Sequence, residues 1–311
     1  MEIVKKVSQE FSGMRLDKVS SIIFEDFSRT QIKKWIIEGR LLLNNELASP
    51  KEIVHTNDEI EINPVSETKT PWEAEDINFE VIKEEEEYLI INKPSNLIMH
   101  PGAGCYEGTL ANGLLFKFPE LKNLSRAGIV HRLDKDTSGI ILVAKTEKYR
   151  NHFVRLLQER KVRKNYKALV VGKIIGSFEI TDPIGRDKNN RTKMTVRPDG
   201  KEAYSFVRLE ESYQNYSLLD VSIKTGRTHQ IRVHLSSKKL PIIGDKTYNP
   251  SKHIAKETPT NLVDLIKDFP RQALHSFQLS FEDPYSNETL TFNAPMNEDM
   301  QNLINRFKKH I

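Results

Sequence analysis

The stretch GIVHRLDKDTSGIILVAKT, residues 128–146, joins a dense group of charged residues to an apolar run. The run GIILVA lacks any polar side chain, and this pattern predicts a buried strand. If another strand ends near Leu133, Asp134 lies where the chain turns, beside Arg132 and Lys135. A carboxylate next to cations stays ionised and is available as a nucleophile. If that strand is present, the stretch therefore predicts a carboxylate that lies at a turn and is available for chemistry.

Further strands are predicted on both sides of this stretch. The segments EYLIINKP, NYKALVVG and AYSFVRLEESYQNYSLLDVSI are rich in β-branched and aromatic residues, whereas EKYRNHFVRLLQER has the periodicity of an amphipathic helix. Strands outnumber helices, and many connections are short enough for hairpins. We therefore expect an α+β fold with a mostly antiparallel mixed sheet and flanking helices.

A composition break between Asn63 and Asp76, in NPVSETKTPWEAED, predicts two units, residues 1–70 and 71–311. In the first unit, SRTQIKKWIIEG is a predicted helix, with a capping box from Ser28 and Gln31 and a left-handed end at Gly39. RLLLNNELA predicts a hairpin with its turn at the paired asparagines, and DEIEI predicts a final strand. The N-terminal unit is therefore expected to be a small α/β module.

The overall charge of the 311 residues is only +4, but its distribution is uneven. Residues 72–88 contain eight acids and one lysine, whereas residues 146–167 contain eight Lys or Arg and two glutamates. The basic segment is either a solvated helix face or a surface for a polyanion such as nucleic acid. No apolar run is long enough for a membrane span, and the N-terminus lacks a signal-peptide core, so we expect a cytoplasmic protein.

Cofactor and metal signatures do not emerge from the sequence. Cys105 is the single cysteine, and the nine histidines form no H-E-x-x-H motif. The glycines of HPGAGCYEGTLANGLL miss the dinucleotide-binding register, which favours a tight turn before a helix. We therefore expect no metal and no cofactor.

The residue pattern alone leaves the role of Asp134 open. It fits a catalytic nucleophile about as well as a structural ion pair. Asp136 could be an acid partner, as in two-carboxylate glycosidases. Carboxylates two residues apart on a turn seldom point to one atom, however, so Asp136 is better interpreted as a ligand of backbone amides.

The segment GIVHRLDKDTSGIILVAKT resembles the active-site motif of the RluA family of pseudouridine synthases. Four further segments resemble family motifs in the expected order: IINKPSNLIMHPGAG, RKNYKALVVG, IGRDKNNRTKMTV and KTGRTHQIRVHLSSKKLPIIGDKTY. In addition, GMRLDKVSS and SRTQIKKWIIEGRLLLNNE resemble the S4 RNA-binding domain. The combination suits the RluC/RluD-like branch and implies an isomerase that acts on RNA.

The resemblance implies roles for individual residues. Asp134 matches the catalytic aspartate, Arg132 the arginine that displaces the target base, and Tyr166 the tyrosine that stacks on the flipped uracil. Arg232 matches the basic partner of the aspartate, although Arg227 is an alternative partner or could instead hold a phosphate. Other basic residues are expected to contact the RNA backbone: Arg29, Lys33, Lys34, Arg40, Arg155, Arg186, Arg191, Lys193 and Arg227.

The implied substrate is a set of specific uridines in large-subunit, 23S-type rRNA, and the implied partner is this RNA or the assembling large ribosomal subunit. A transfer-RNA substrate and a non-catalytic ribosome-assembly factor are the alternatives. Attack by the aspartate at C6 of the base and at C1′ of the ribose both remain open. We expect the chain to act as a monomer.

Overall fold

The computed structural model describes residues 3–24, 27, 29–64, 72–102, 104–190 and 192–310. Its strands form a small N-terminal sheet, a separate hairpin and a nine-stranded sheet with flanking helices. The predicted α+β class is therefore confirmed. The predicted boundary between residues 70 and 71, the capping residue Ser28 and the basic residue Arg191 lie outside the described residues.

The N-terminal unit is a four-stranded antiparallel sheet in the order β1-β4-β2-β3, packed against two helices. Its elements are β1 (Ile3–Lys6), α1 (Leu16–Ile23), α2 (Arg29–Ile37), β2 (Leu41–Leu43), β3 (Glu46–Leu47) and β4 (Glu59–Ile62). Asn44 and Asn45 have φ values of 53° and 63°, as required by the tight hairpin turn that joins β2 to β3. Gly39 ends the second helix with a φ of 69°. Both local predictions are confirmed.

The larger unit contains the remaining strands and helices. Its strands are β5 (Glu80–Glu84), β6 (Tyr88–Lys93), β7 (Ser138–Ala144), β8 (Arg163–Val171), β9 (Ser177–Ile180), β10 (Ile184–Arg186), β11 (Met194–Val196), β12 (Ser205–Tyr213), β13 (Tyr216–Ile223), β14 (Leu274–Glu282) and β15 (Thr289–Asn293). Its α-helices are α3 (Leu110–Lys117), α4 (Glu147–Gln158), α5 (Gln230–Ser237), α6 (Thr260–Asp268) and α7 (Glu298–His310).

The large sheet has the order β5-β6-β7-β14-β8-β13-β12-β9, and β15 also pairs with β14. Its pairs are antiparallel apart from β7 with β14, within the described chain. All seven residues of β7 are buried, because apolar side chains pack against both of its faces. The central position of β7 places the segment that precedes it in the middle of the sheet.

The segment that precedes β7 is not a strand, so the condition considered above, a strand that ends near Leu133, is not met. Ile129 makes a single bridge to Val143, and the chain then runs irregularly until β7 begins. The amide of Thr137 donates to the carbonyl of Asp134 across 3.1 Å and closes a turn. Asp134 therefore does lie at a turn, as predicted, but the element before the turn is a loop.

Gly139, at the start of β7, lies against the backbone of β14. Its φ is 114°, and a Cβ at this position would lie 2.1 Å from the carbonyl oxygen of Ser276. Gly139→Ala is therefore expected to lower the free energy of unfolding by about 1–3 kcal/mol, measured by urea denaturation. Gly176→Ala is the matched control, because Gly176 also has a positive φ but faces open space. Equal losses in the two variants would contradict the close approach.

Candidate active site

A cleft of about 590 Å³ opens beside the segment that precedes β7. Asp134 is the one acid among the described residues that line it. The lysines and arginines that line the cleft are Arg126, Arg132, Arg160, Lys164, Lys224, Arg227 and Arg232. A single carboxylate thus faces a wall of cations, an arrangement that attracts a polyanionic ligand.

A buried lysine at the end of β6 holds the backbone at Lys135, directly after Asp134. The ammonium of Lys93 donates to the carbonyl oxygens of Pro94, Leu97 and Lys135 across 2.8, 2.9 and 3.0 Å. Burial lowers the pKa of Lys93 to about 7, and its three hydrogen bonds satisfy the three donors of the ammonium. Lys93 therefore connects the IINKP segment to the aspartate loop, a contact that sequence reasoning missed.

Arg232, on α5, connects two carboxylates. Its Nη1 donates to Oδ2 of Asp134 across 3.0 Å, and its Nε and Nη2 donate to Asp245 across 2.7 and 2.8 Å. Burial would lower the pKa of Arg232, but the hydrogen bonds and charges of Asp245 and Asp134 raise it above the ordinary arginine value. The cation is therefore fixed from behind by one carboxylate while it faces the other.

Arg227 lies on the same wall of the cleft but does not reach the aspartate. Its Nε donates to the backbone carbonyl of Glu202 across 2.8 Å, and its amide donates to the side chain of Gln230. Of the two candidate partners, Arg232 therefore forms the ion pair with Asp134 in the described structure.

His229 approaches Asp134 from the other side. Its backbone is left-handed, with a φ of 55°, and its Nε2 lies 4.0 Å from Oδ2 of the aspartate. Its Nδ1 is 2.9 Å from the hydroxyl of Tyr248. Burial lowers the pKa of His229, more strongly than Asp134 raises it, so the imidazole is neutral at pH 7. No metal-binding spacing marked this histidine, and sequence reasoning did not assign it to the site.

Tyr166, on β8, places its ring in the wall of the cleft. The side chain is buried, and burial raises the pKa of its phenol to about 12. The neutral ring offers an aromatic surface close to Asp134, whose charge also raises this pKa. Arg132, by contrast, is exposed at the cleft. The four residues predicted for catalysis therefore line one cleft.

The geometry agrees with what comparisons with known proteins find. A family model described as RNA pseudouridylate synthase matches residues 87–237, and an S4 domain model matches residues 14–60. Ribosomal large subunit pseudouridine synthase D of Vibrio parahaemolyticus is 39% identical over 298 residues, 96% of this chain and 92% of that protein. The chain belongs to the RNA pseudouridylate synthase family.

Other relatives extend over a similar length. Proteins of the same description from Xanthomonas campestris and Escherichia coli K12 are 40% and 37% identical, cover 97% and 98% of this chain, and are themselves covered to 92% and 94%. The solved structure of human RNA Pseudouridylate Synthase Domain Containing 4 covers 73% of this chain and is itself covered to 92%, with a TM-score of 0.57 and 23% identity. It supports the fold. As a member of this family, the chain is an RNA pseudouridine synthase, an isomerase with an RNA substrate.

The basic residues predicted on the S4-like unit are partly neutralised. The guanidinium of Arg29 lies 2.8 Å from the buried carboxylate of Asp17, and Lys34 and Arg40 lie 3.7 and 3.6 Å from Glu38. Lys33 is exposed. Arg29 therefore also stabilises the fold of this unit, through its ion pair with Asp17.

The basic residues predicted on the synthase unit are spread over its surface. Arg155 is exposed on α4 and contacts His152. Arg186 is exposed at the end of β10, and Lys193 lies in the loop of the same hairpin. These residues lie outside the lining of the cleft, so any contact with RNA would involve nucleotides away from the reacting one.

The described residues contain no group of three or more His, Cys, Asp or Glu side chains that could hold a metal ion. None of the helices in the described part of the chain is long and apolar enough to cross a membrane.

Proposed function

We propose that this synthase isomerises specific uridines of large-subunit ribosomal RNA, with Asp134 as the catalytic carboxylate. One observation carries the assignment of Asp134: it is the one acid among the described residues of a cleft lined by cations, and Arg232 orients it. The rRNA substrate is supported by the names of relatives that match over nearly the full chain, including the S4-like unit.

The reaction breaks the C1′–N1 bond of a uridine and forms a C1′–C5 bond. C5 loses its hydrogen as a proton and N1 gains one, so the atoms balance without a redox partner. The carboxylate of Asp134 attacks C6 or assists departure of the base at C1′. The guanidinium of Arg232 holds one oxygen of Asp134 in place through a 3.0 Å hydrogen bond, and the imidazole of His229 lies 4.0 Å from the same oxygen.

Base flipping must precede the chemistry, because a structured RNA hides the glycosidic bond, and flipping costs a few kcal/mol. The exposed side chain of Arg132 is suited to occupy the space left by the base, and Tyr166 provides a stacking surface inside the cleft. Stacking of a base on an aromatic ring contributes about 1–3 kcal/mol. These two residues are therefore proposed to offset the cost of flipping.

We propose that residues 1–70 form an S4-like RNA-binding unit and residues 71–311 the synthase unit. The protein is proposed to act as a monomer in the cytoplasm, on rRNA or on the assembling large subunit. Arg29, Lys33, Lys34, Arg40, Arg155, Arg186, Arg191, Lys193 and Arg227 are proposed to contact the RNA.

The test is release of tritium from C5-labelled uridine. Unmodified large-subunit rRNA and a pool of unmodified tRNA are supplied separately to the full-length chain. Release from the rRNA alone is the expected result. Release from tRNA alone would replace the substrate, and no release from either would favour a non-catalytic assembly factor.

Tyr166 is expected to act through its ring rather than its hydroxyl. Tyr166→Leu should lower kcat/KM for tritium release by about 10- to 100-fold, because the stacking surface is lost while the apolar volume is largely kept. Tyr166→Phe, the matched control, should stay within about threefold of the wild type. Equal losses in both variants would assign the effect to the phenol oxygen instead.

A further inference from the structure

Lys164 is a buried lysine in the wall of the catalytic cleft. It lies on β8 two residues before Tyr166, so both side chains point to the same face of the strand. The residue is only 7% exposed, yet it lines the cleft. Its ammonium lies near the loop that follows β13, since a Cβ at Gly226 would be 3.5 Å from Nζ.

Among the described residues, Lys164 has no negatively charged partner. No carboxylate of the described residues forms an ion pair with its Nζ, and the one charged group that perturbs it is Arg227. Burial lowers the pKa of Lys164 to about 8, and Arg227 lowers it as well. Lys164 is buried and Arg227 beside it is half-buried, so the two cations repel each other, and such an arrangement is costly unless an anion joins them.

Two other lysines of the synthase unit, the buried Lys93 and the half-buried Lys167, do have partners. Lys93 donates to three carbonyl oxygens, and the ammonium of Lys167 lies 2.6 Å from Glu210 and 3.8 Å from Asp220. Arg227 uses its Nε for the carbonyl of Glu202, and its terminal nitrogens make no hydrogen bond within the described chain. Lys164 and Arg227 therefore both present donors to the cleft.

We propose that Lys164 and Arg227 form a subsite for a backbone phosphate of the target nucleotide, the one whose base lies against Tyr166. This proposal rests on the proposed function. Residues two apart on a strand are separated by about 7 Å, so the strand places an ammonium beside the stacking ring. In a nucleotide the sugar likewise separates the base from the phosphate, so a base stacked on Tyr166 would bring a phosphate towards Lys164.

The first test is the salt dependence of RNA binding. The probe is an unmodified large-subunit rRNA transcript, and its Kd is measured over a range of salt concentrations for the wild type and for Lys164→Met. Loss of one phosphate contact should reduce the slope of log Kd against log salt by about 0.7–0.9. Lys83→Met is the control, because Lys83 is exposed, pairs with Glu85 and does not line the cleft. Its slope should equal that of the wild type.

The same variant separates a ligand-binding lysine from a structural one. Lys164→Met removes a buried charge without a partner, so the melting temperature is expected to stay the same or to rise. The value of kcat/KM for tritium release should fall by about 10- to 100-fold, and Lys164→Arg should recover part of it. A lower melting temperature with an unchanged salt slope would overturn the proposal in favour of a structural role.

The second test identifies the phosphate. A neutral methylphosphonate replaces the phosphate on the 5′ or the 3′ side of the target uridine, and each RNA is assayed with the wild type and with Lys164→Met. At one of the two positions the substitution should slow the wild type about 10- to 100-fold and have little further effect on the variant. Effects that multiply at both positions would overturn the proposal.

If Lys164→Met does not fold, the methylphosphonate assay of the wild type still tests the proposal. A wild type whose rate is unchanged by both methylphosphonates would overturn it. Failure of the proposed function is recognised separately. In that case the wild type releases no tritium from the unsubstituted transcript, whereas the salt slopes still report the contact made by Lys164.

Discussion

Asp134→Asn is expected to abolish tritium release from C5-labelled rRNA, with a loss of at least about 1,000-fold in kcat. The amide keeps the size of the side chain but loses the negative charge, so it can neither attack C6 nor assist departure of the base at C1′. RNA affinity should be unchanged or higher, because one negative charge leaves a cleft that binds a polyanion. A single-turnover assay and a binding titration on the same RNA measure the two effects.

Asp136→Asn is the matched control for this variant. Asp136 lies two residues further along the same loop, and its side chain does not line the cleft. Its carboxylate is near the ammonium of Lys93, so Asp136→Asn is expected to lose a little stability. Its rate of tritium release should nevertheless stay within about threefold of the wild-type rate. If Asp136→Asn were as inactive as Asp134→Asn, the catalytic carboxylate would have to be reassigned.

Arg232→Met is expected to lower the free energy of unfolding by about 3–5 kcal/mol at pH 7, the usual cost of removing one partner of a buried ion pair. The loss arises mainly at Asp245, whose side chain has no exposed area and would retain a charge without its cation. Urea denaturation at pH 7 measures this effect.

The stability lost in Arg232→Met is expected to depend on pH through the carboxyl group of Asp245. Burial alone would raise the pKa of Asp245. Arg232 and two backbone amides lower this pKa by more than burial raises it, so the pKa in the folded protein lies below the ordinary value. A lowered aspartate pKa contributes stability above about pH 4, which is lost as the pH falls through the folded pKa. In Arg232→Met, protonation of the unpaired carboxyl relieves the destabilisation. The curves of the wild type and the variant should therefore converge towards acid pH.

The double variant Arg232→Met with Asp245→Asn separates stability from catalysis. It removes both buried charges, so much of the lost stability should return. Tritium release should not return, because Asp134 still lacks its cation. Recovery of both properties would mean that Arg232 serves only to neutralise Asp245.

Local interactions explain the features that were predictable from sequence. The hairpin at Asn44 and Asn45 and the end of α2 at Gly39 depend on residues that tolerate positive φ. The amphipathic helix α4 follows from its own periodicity, and Thr146 caps its first turn. The apolar run after Gly139 could become only a buried strand. Each of these features depends on neighbours within a few residues, so local reasoning was sufficient.

The candidate site was predictable only in part. Family resemblance pointed to Asp134, Arg132, Tyr166 and Arg232, and the fold brings them to one cleft. The choice between Arg232 and Arg227 required the structure, because they lie five residues apart and both are basic. Local pattern also suggested a strand before Asp134, whereas β7 begins only after the turn. The loop is stabilised instead by the side chain of Lys93, distant in sequence, which donates to the main-chain carbonyl of Lys135.

The fold class, the local turns and the family could be predicted from the sequence, because they depend on residue types in short, ordered segments. Which charges meet depends on the packing of distant segments. Arg232 reaches Asp134 across 98 residues of sequence and shares its guanidinium with a buried second carboxylate, Asp245. The same packing leaves Lys164 beside Arg227 without a carboxylate in the described chain. Charge pairing and desolvation depend on distances in space, which no local spacing encodes.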